Sequence, residues 1–264
     1  MRIVRMVFLL AASAALGLVA GCATGSGVGA PESAARAAQE DAERLARIRL
    51  QLAVGYYQQG QSQTALDELR RALQADPRLA DAYSLRGLIQ MDMDENRQAE
   101  ESFQQALKLA PNSPDYNNNY GWFLCQTGRE RQSLVYFENA ARERSYRSPA
   151  KAYSNAGVCS LRLKDAAAAE RYFNLAYQIE PGHGPANLNL ARLLHLRGDN
   201  ERARFHVSRL LKTEDVSPEA LLLAIRIERK LENRIEEERL AAQLRRVYPD
   251  SAEFAAYQRG TFDE

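Results

Sequence analysis

The chain has 264 residues, 35 Lys and Arg against 34 Asp and Glu, 45% hydrophobic and 26% charged positions. That length suits one large domain, two ordinary ones or a repeat array, and the composition excludes global disorder. A net charge of +1 excludes a strongly basic nucleic-acid binder and an acidic tail protein, and three cysteines without a CxxC pair are neither a disulfide scaffold nor a zinc motif.

At the N-terminus, Arg2 and Arg5 precede an apolar run from Met6 to Ala20. The run is shorter than the roughly 20 residues a membrane-spanning helix needs. A basic start, a short apolar stretch and small residues behind it describe an export signal. The small residues Val19-Ala20-Gly21 stand directly before Cys22. This resembles the lipobox of bacterial lipoproteins, which implies that Cys22 carries a covalent lipid and becomes the new N-terminus. Several acyl chains together give stable anchoring. Loss of residues 1–21 leaves 33 positive against 34 negative side chains, so the lipid and not charge would hold the chain to a membrane. Ala23 follows the cysteine where Asp would favour inner-membrane retention, so the expected location is the inner leaflet of the outer membrane, facing the periplasm. The stretch Ala23–Pro31 is rich in Gly, Ser and Ala and reads as a flexible tether. The expected organisation is a signal at 1–21, a lipidated tether over 22–40 and a repeat array over 41–260.

The array shows itself as a period. Ala53, Gly87, Gly121, Gly157 and Ala191 form one register; Ala65, Ala99, Ser133, Ala169 and Ala203 a second; Leu69, Phe103, Phe137, Phe173 and Val207 a third; Ala72, Ala106, Ala140, Ala176 and Leu210 a fourth. Each steps by 34, 34, 36 and 34, with one shared two-residue insertion near Ser148-Pro149. Small residues let two antiparallel helices approach, and a large apolar residue fills the gap behind them. Pro77, Pro111 and Pro181 follow the second helices, which proline cannot continue. Gly60, Gly128 and Gly198 stand where the first helix must turn.

This pattern resembles the tetratricopeptide repeat, two helices per 34 residues. The fold expected is all-α: a right-handed superhelix of about six helix pairs, at roughly 46–79, 80–113, 114–147, 150–183, 184–216 and 217–250. A helix over about Ser33–Gln58 merges into the first repeat, and Ser251–Gln258 is a short terminal helix. Arg49, Asn117 and Asn187 depart from the usual first-helix aromatic.

No enzyme motif stands in the chain. There is no HExxH, Walker loop, GxSxG, or GxGxxG in a strand–helix context. Of the three histidines, His183 lies in a loop, and His195 and His206 read as surface or packing residues on helices. A metal site, a cofactor and a small-molecule substrate are not expected. Cys125 and Cys159 fall at nearly equivalent places on adjacent first helices. They are either a disulfide, which an oxidising compartment would preserve, or two independent buried thiols.

A superhelix of this kind has a concave wall lined by first helices. In this register the inward residues are Leu50, Val54, Tyr57, Leu88, Met91, Asn118, Trp122, Val158 and Leu161. The wall is apolar, as binding surfaces are, and suits an extended peptide or an amphipathic helix. The alternatives are that the N-terminal helix covers part of it or that the inward register is shifted by one residue. Leu50 and Val54 stand where a carboxylate clamp would carry Lys and Asn, which argues against that chemistry.

The lipobox, the tether, the repeats, the stretch Asn118-Asn119-Tyr120-Gly121-Trp122-Phe123-Leu124-Cys125 and the terminal Tyr248-Pro249-Asp250-Ser251 occur together. The combination resembles the type IV pilus biogenesis and stability lipoproteins, the PilF/PilW family. The resemblance implies a non-enzymatic pilotin that binds the outer-membrane secretin subunit and promotes its localisation and multimerisation, and hence twitching motility. The alternatives are a scaffold lipoprotein for another envelope machine, such as cell-wall synthesis or outer-membrane protein assembly, and an enzyme accessory domain or cryptic hydrolase. The missing catalytic constellation argues against the last.

Overall fold

The structure, a computed structural model, describes residues 29–213 and 215–260. Over those residues the chain is helical, with turns and no strand. The helices are α1 (Gly29–Gln58), α2 (Ser62–Ala75), α3 (Ala80–Asp92), α4 (Asn96–Leu109), α5 (Pro114–Gln126), α6 (Glu130–Arg142) and α7 (Pro149–Arg162). After them come α8 (Ala166–Ile179), α9 (Gly184–Leu196), α10 (Asn200–Leu210), α11 (Pro218–Lys230), α12 (Arg234–Val247) and α13 (Ala252–Arg259). The chain divides into two compact units, Met1–Arg44 and Leu45–Glu264. Of the first, the described part is helix. The second is a run of helix pairs ending in α13.

Helix α1 starts four residues before the expected Ser33, inside the stretch given as tether over 22–40. The helix begins at Gly29, because Ala34, Ala35, Ala37, Ala38 and the Glu, Gln and Arg around them are strong helix formers, and Pro31 is tolerated in a first turn. Residues 1–28, with the signal and Cys22, lie outside the described residues.

The first five pairs close by fitting a second-helix side chain against a small first-helix residue; in α11/α12 the sizes are reversed, with Ile225 on the first helix and Ala241 on the second, both buried. Phe103, Phe137 and Phe173 are fully buried. A Cβ added at Gly87 would come within 2.8 Å of the Phe103 ring, at Gly121 within 3.0 Å of Phe137, and at Gly157 within 2.5 Å of Phe173. Those glycines are required by contact, not by backbone angle. In the outer pairs the fit is Ala53 with Leu69 and Ala191 with Val207, all buried.

The turn inside each pair repeats as well. Gly60, Gly128 and Gly198 adopt φ of 75–80°, and Asp94, Lys164 and Glu232 adopt φ near 60°. These six steps follow the repeat, so the left-handed turn is present in every pair although glycine fills it only in alternate ones.

The first-helix departures have a common explanation. Asn117 Nδ2 donates to the carbonyl oxygens of Pro111 (2.9 Å) and Ser113 (2.8 Å), and Asn187 Nδ2 to those of Pro181 (2.9 Å) and His183 (3.0 Å). Tyr83, at the same register, donates to the Pro77 carbonyl at 3.3 Å. A buried amide does what a tyrosine does elsewhere: it ties the new helix to the proline loop that ended the last one. Arg49 instead reaches the buried Glu68 carboxylate on α2, at 2.9 Å.

Candidate partner-binding groove

Helices α1, α3, α5, α7 and α9 are the first members of their pairs, and the same three positions recur along them. Val54, Leu88, Trp122, Val158 and Arg192 share one register; Tyr57, Met91, Cys125, Leu161 and His195 share another; Leu50, Ser84, Asn118, Ser154 and Leu188 a third. The first two registers are apolar from α1 to α7 and carry Arg192 and His195 at α9, whereas the third is polar at α3, α5 and α7.

Its residues are less free than the sequence suggests. Leu50 and Tyr57 pack against the Ala53–Leu69 cluster. Leu88 and Met91 pack against Phe103 and Phe123, Trp122 against Phe137 and the two cysteines, and Val158 and Leu161 against the Phe173 cluster. Core packing does use these residues, so each offers one edge to solvent. Val54 offers the most, at 37% exposure.

Asn118 corrects the expectation more strongly. It is buried, at 3% exposure, and works between helices. Asn155 Nδ2 on α7 donates to Asn118 Oδ1 at 3.0 Å. Asn118 Nδ2 lies 3.4 Å from Asn119 Oδ1, and Asn119 Nδ2 donates to Ser84 Oγ on α3 at 3.2 Å. The result is a ladder Asn155–Asn118–Asn119–Ser84 across three first helices. Other bonds with the same reach brace the wall. Tyr57 donates its hydroxyl to Asp92, Tyr116 to Asp81 at 2.6 Å, and Arg162 to the Cys125 carbonyl at 3.1 Å and to Gln126 Oε1 at 2.6 Å. Burial and the bond to Asp92 push the Tyr57 hydroxyl up to about 12, so it remains a donor at any physiological pH. These partners stand 35–37 residues apart. Counted against steps of 34 and, between α5 and α7, 36, they lie at one repeat or one repeat plus one, so pairing polar residues at that spacing would have found them.

Cys125 and Cys159, both fully buried, are joined by a disulfide with Cα atoms 5.9 Å apart. It links α5 to α7 directly behind Trp122.

A hollow of about 760 Å³ opens where α3 and α5 turn into their second helices. Met91, Trp122 and Phe123 meet Asp92, Asp94 and Arg129 there. Arg129 forms a two-pronged pair with Glu100 (2.7 and 3.1 Å) and lies 5.4 Å over the Phe123 ring. The bonds from Arg129 hold the Glu100 carboxyl below its ordinary range. At the charged end of the wall a smaller hollow of about 380 Å³ is lined by Arg192, His195, Glu219 and Leu222, with Arg192 paired to Glu219.

Among the described residues no group of three His, Cys, Asp or Glu could hold a metal ion, and no helix is long and apolar enough to cross a membrane. His206 is buried and packs: its Nδ1 meets Asn187 Oδ1 at 3.0 Å, and its ring meets Tyr177 edge-on. His195 Nδ1 meets Asn200 Oδ1 at 2.6 Å. The arrangement offers surfaces and hydrogen bonds.

Comparison with known proteins agrees with this architecture. Profiles of the tetratricopeptide repeat match residues 160–225, 55–94 and 80–113. The type IV pilus assembly protein PilF of Pseudomonas aeruginosa is 29% identical over 209 residues, covering 79% of this chain and 83% of that protein. The crystal structure of PilW, described as a widely conserved type IV pilus biogenesis factor, superposes with a TM-score of 0.72 at 32% identity, over 81% of this chain and 98% of that one. The structure of Pseudomonas aeruginosa PilF gives 0.74 at 27% identity, over 84% and 99%. With the helix pairs, the glycine–phenylalanine fits and the first-helix wall, these likenesses place the chain in the PilF/PilW family of tetratricopeptide-repeat proteins of type IV pilus biogenesis.

Proposed function

We propose that the chain is a non-enzymatic lipoprotein, anchored through Cys22 in the inner leaflet of the outer membrane. In this reading it binds the secretin subunit of the type IV pilus and promotes its localisation and multimerisation. The observation that carries the reading is the likeness to PilW and PilF over four-fifths of this chain and nearly all of theirs. The first-helix wall from α1 to α7 is the surface proposed for the partner. Its apolar edges are backed by the asparagine ladder and the disulfide, so the surface is held in place before a ligand arrives. Preorganisation of that kind lowers the ordering cost of binding. Anchoring adds effective concentration, since subunits collected on one membrane meet more often.

The test is the heat-resistant secretin oligomer, run on an unboiled gel from a strain lacking the protein. Loss of the ring with monomer retained is the expected result. An intact ring would exclude an assembly role and leave fibre stability or another envelope machine. Cys22→Ala is expected to give a folded protein absent from the outer-membrane fraction, and Trp122→Ala to weaken capture of the secretin without loss of helicity.

A further inference from the structure

Three residues that depart from the repeat at their own registers meet in one place. Among the first five pairs, Asp92 stands where the others carry Gln58, Gln126, Arg162 and Leu196. Asp94 stands where they carry Gly60, Gly128, Lys164 and Gly198, and Trp122 where they carry Val54, Leu88, Val158 and Arg192. All three line the hollow of about 760 Å³ at the ends of α3 and α5.

The charges in that hollow do not cancel. Arg129 is taken up by Glu100, and Arg97 at the rim is 84% exposed and pairs with Glu101 of its own helix at 3.9 Å. Asp92 accepts the Tyr57 hydroxyl, and among the described residues neither Asp92 nor Asp94 meets a cation. Trp122 packs against Phe137 and the cysteines and still lines the hollow. Among the described residues no cation lies over its ring.

A row of hydrogen bonds along the C-terminal ends of the first helices is interrupted at the same point. Tyr57 on α1 donates to Asp92 on α3, and Arg162 on α7 donates to Gln126 on α5. Between α3 and α5 the residues at this register are Asp92 and Gln126, and no bond joins them among the described residues. The oxygens of Asp92, Asp94 and Gln126 are acceptors, so the group that completes the row is a donor of several N–H bonds with positive charge.

We propose that the hollow receives an arginine side chain of the bound partner, its guanidinium against the Trp122 indole and its N–H groups on Asp92, Asp94 and Gln126. The assignment rests on the first-helix wall being the partner's binding surface, and Met91 and Trp122 belong to both wall and hollow. Arginine suits the place better than lysine, because its planar fork reaches acceptors on two helices at once and stacks on an aromatic face. The partner segment is then apolar with an arginine where it crosses from α3 to α5.

The probe is the peptide N-acetyl-Leu-Arg-Leu-amide, titrated into the full chain and read by the emission of Trp122, the only tryptophan. Saturable change in the millimolar range is expected. Citrulline, which keeps the shape of arginine without its charge, is expected to weaken binding about fivefold or more, and lysine about twofold or more. Asp92→Asn with Asp94→Asn is expected to weaken the arginine peptide about fivefold and to leave the citrulline peptide unchanged. Circular dichroism should not move, since asparagine keeps an acceptor for Tyr57 and tolerates the φ of 60° at position 94. Three results would overturn the proposal: no saturation by the arginine peptide up to about 20 mM, equal binding of the citrulline or lysine peptide, or equal binding of the arginine peptide by the double variant. The titration contains no secretin, so the ring assay can fail while the hollow still selects arginine, and the reverse.

Discussion

The middle of the array and its flanks solve one packing problem in two ways. In the pairs α3/α4, α5/α6 and α7/α8 a glycine on the first helix lies under a phenylalanine ring on the second; in α1/α2 and α9/α10 an alanine lies under a leucine or a valine. What is held constant is the combined volume, as close packing demands. The middle gains larger apolar burial and loses tolerance, since nothing bigger than hydrogen fits under the ring. The only disulfide among the described residues also falls in the middle, between α5 and α7.

The largest effect expected is therefore from the disulfide. Cys125→Ala with Cys159→Ala removes the closure of a 34-residue loop, and the loop-entropy relation gives a loss of about 3–4 kcal/mol in denaturant unfolding. Thiol titration of the denatured, unreduced protein should find neither cysteine; finding both would remove the disulfide from the comparison. Next comes Gly157→Ala, which sets a methyl against the Phe173 ring and should cost about 2–3 kcal/mol. Adding Phe173→Leu copies the Ala53–Leu69 fit and should recover most of it. If it does not, constant volume is the wrong account of the difference between middle and flank.

The turns give smaller effects of opposite sign. Gly128 has φ of 80° with nothing within 4 Å of an added Cβ, so Gly128→Ala should cost only the backbone penalty, about 1 kcal/mol. Lys164, at φ 60° in the neighbouring pair, should gain up to about 1 kcal/mol on replacement by Gly, less the entropy glycine adds to the unfolded chain. The smallest effect is with pH. Burial, and then Arg202 and Arg209, hold the His206 imidazole below its ordinary value, so the folded state binds fewer protons than the unfolded one in mild acid. Its contribution is complete above about pH 6.5 and falls as pH drops below that, by at most about 1.4 kcal/mol per pH unit. His206→Gln should flatten that slope between pH 7 and 5.

The repeat was legible because its signal is redundant: small, large and small residues recur in four registers, and no single exception such as Ser133 disturbs the step. The start of α1 was legible to within four residues, the helix expected from Ser33 beginning at Gly29, because the Gly- and Ala-containing stretch before it read as tether. The left-handed turns at Asp94, Lys164 and Glu232 carry no glycine, but the period drawn from Gly60, Gly128 and Gly198 lands on them. For the wall, period fixes the angle of a side chain about its helix and not what the neighbouring helix puts against it. Trp122 and Asn118 thus stood alike in sequence, yet Asn155 and Asn119 bury the asparagine. The cysteines left two readings open, because adjacency of helices is periodic whereas the meeting of two sulfurs depends on rotamers.

The covalent link between α5 and α7 also has a mechanical meaning. A chain pulled from its two ends pays out each pair of helices as it yields, but the residues between Cys125 and Cys159 lie in a closed loop that bears no tension. At about 3.4 Å per extended residue, roughly 110 Å of contour is withheld from the stretched length until the bond is reduced. Helix α6 could then unravel without the load-bearing path growing longer, so the middle of the molecule behaves under force as a strap of fixed length between two extensible arms.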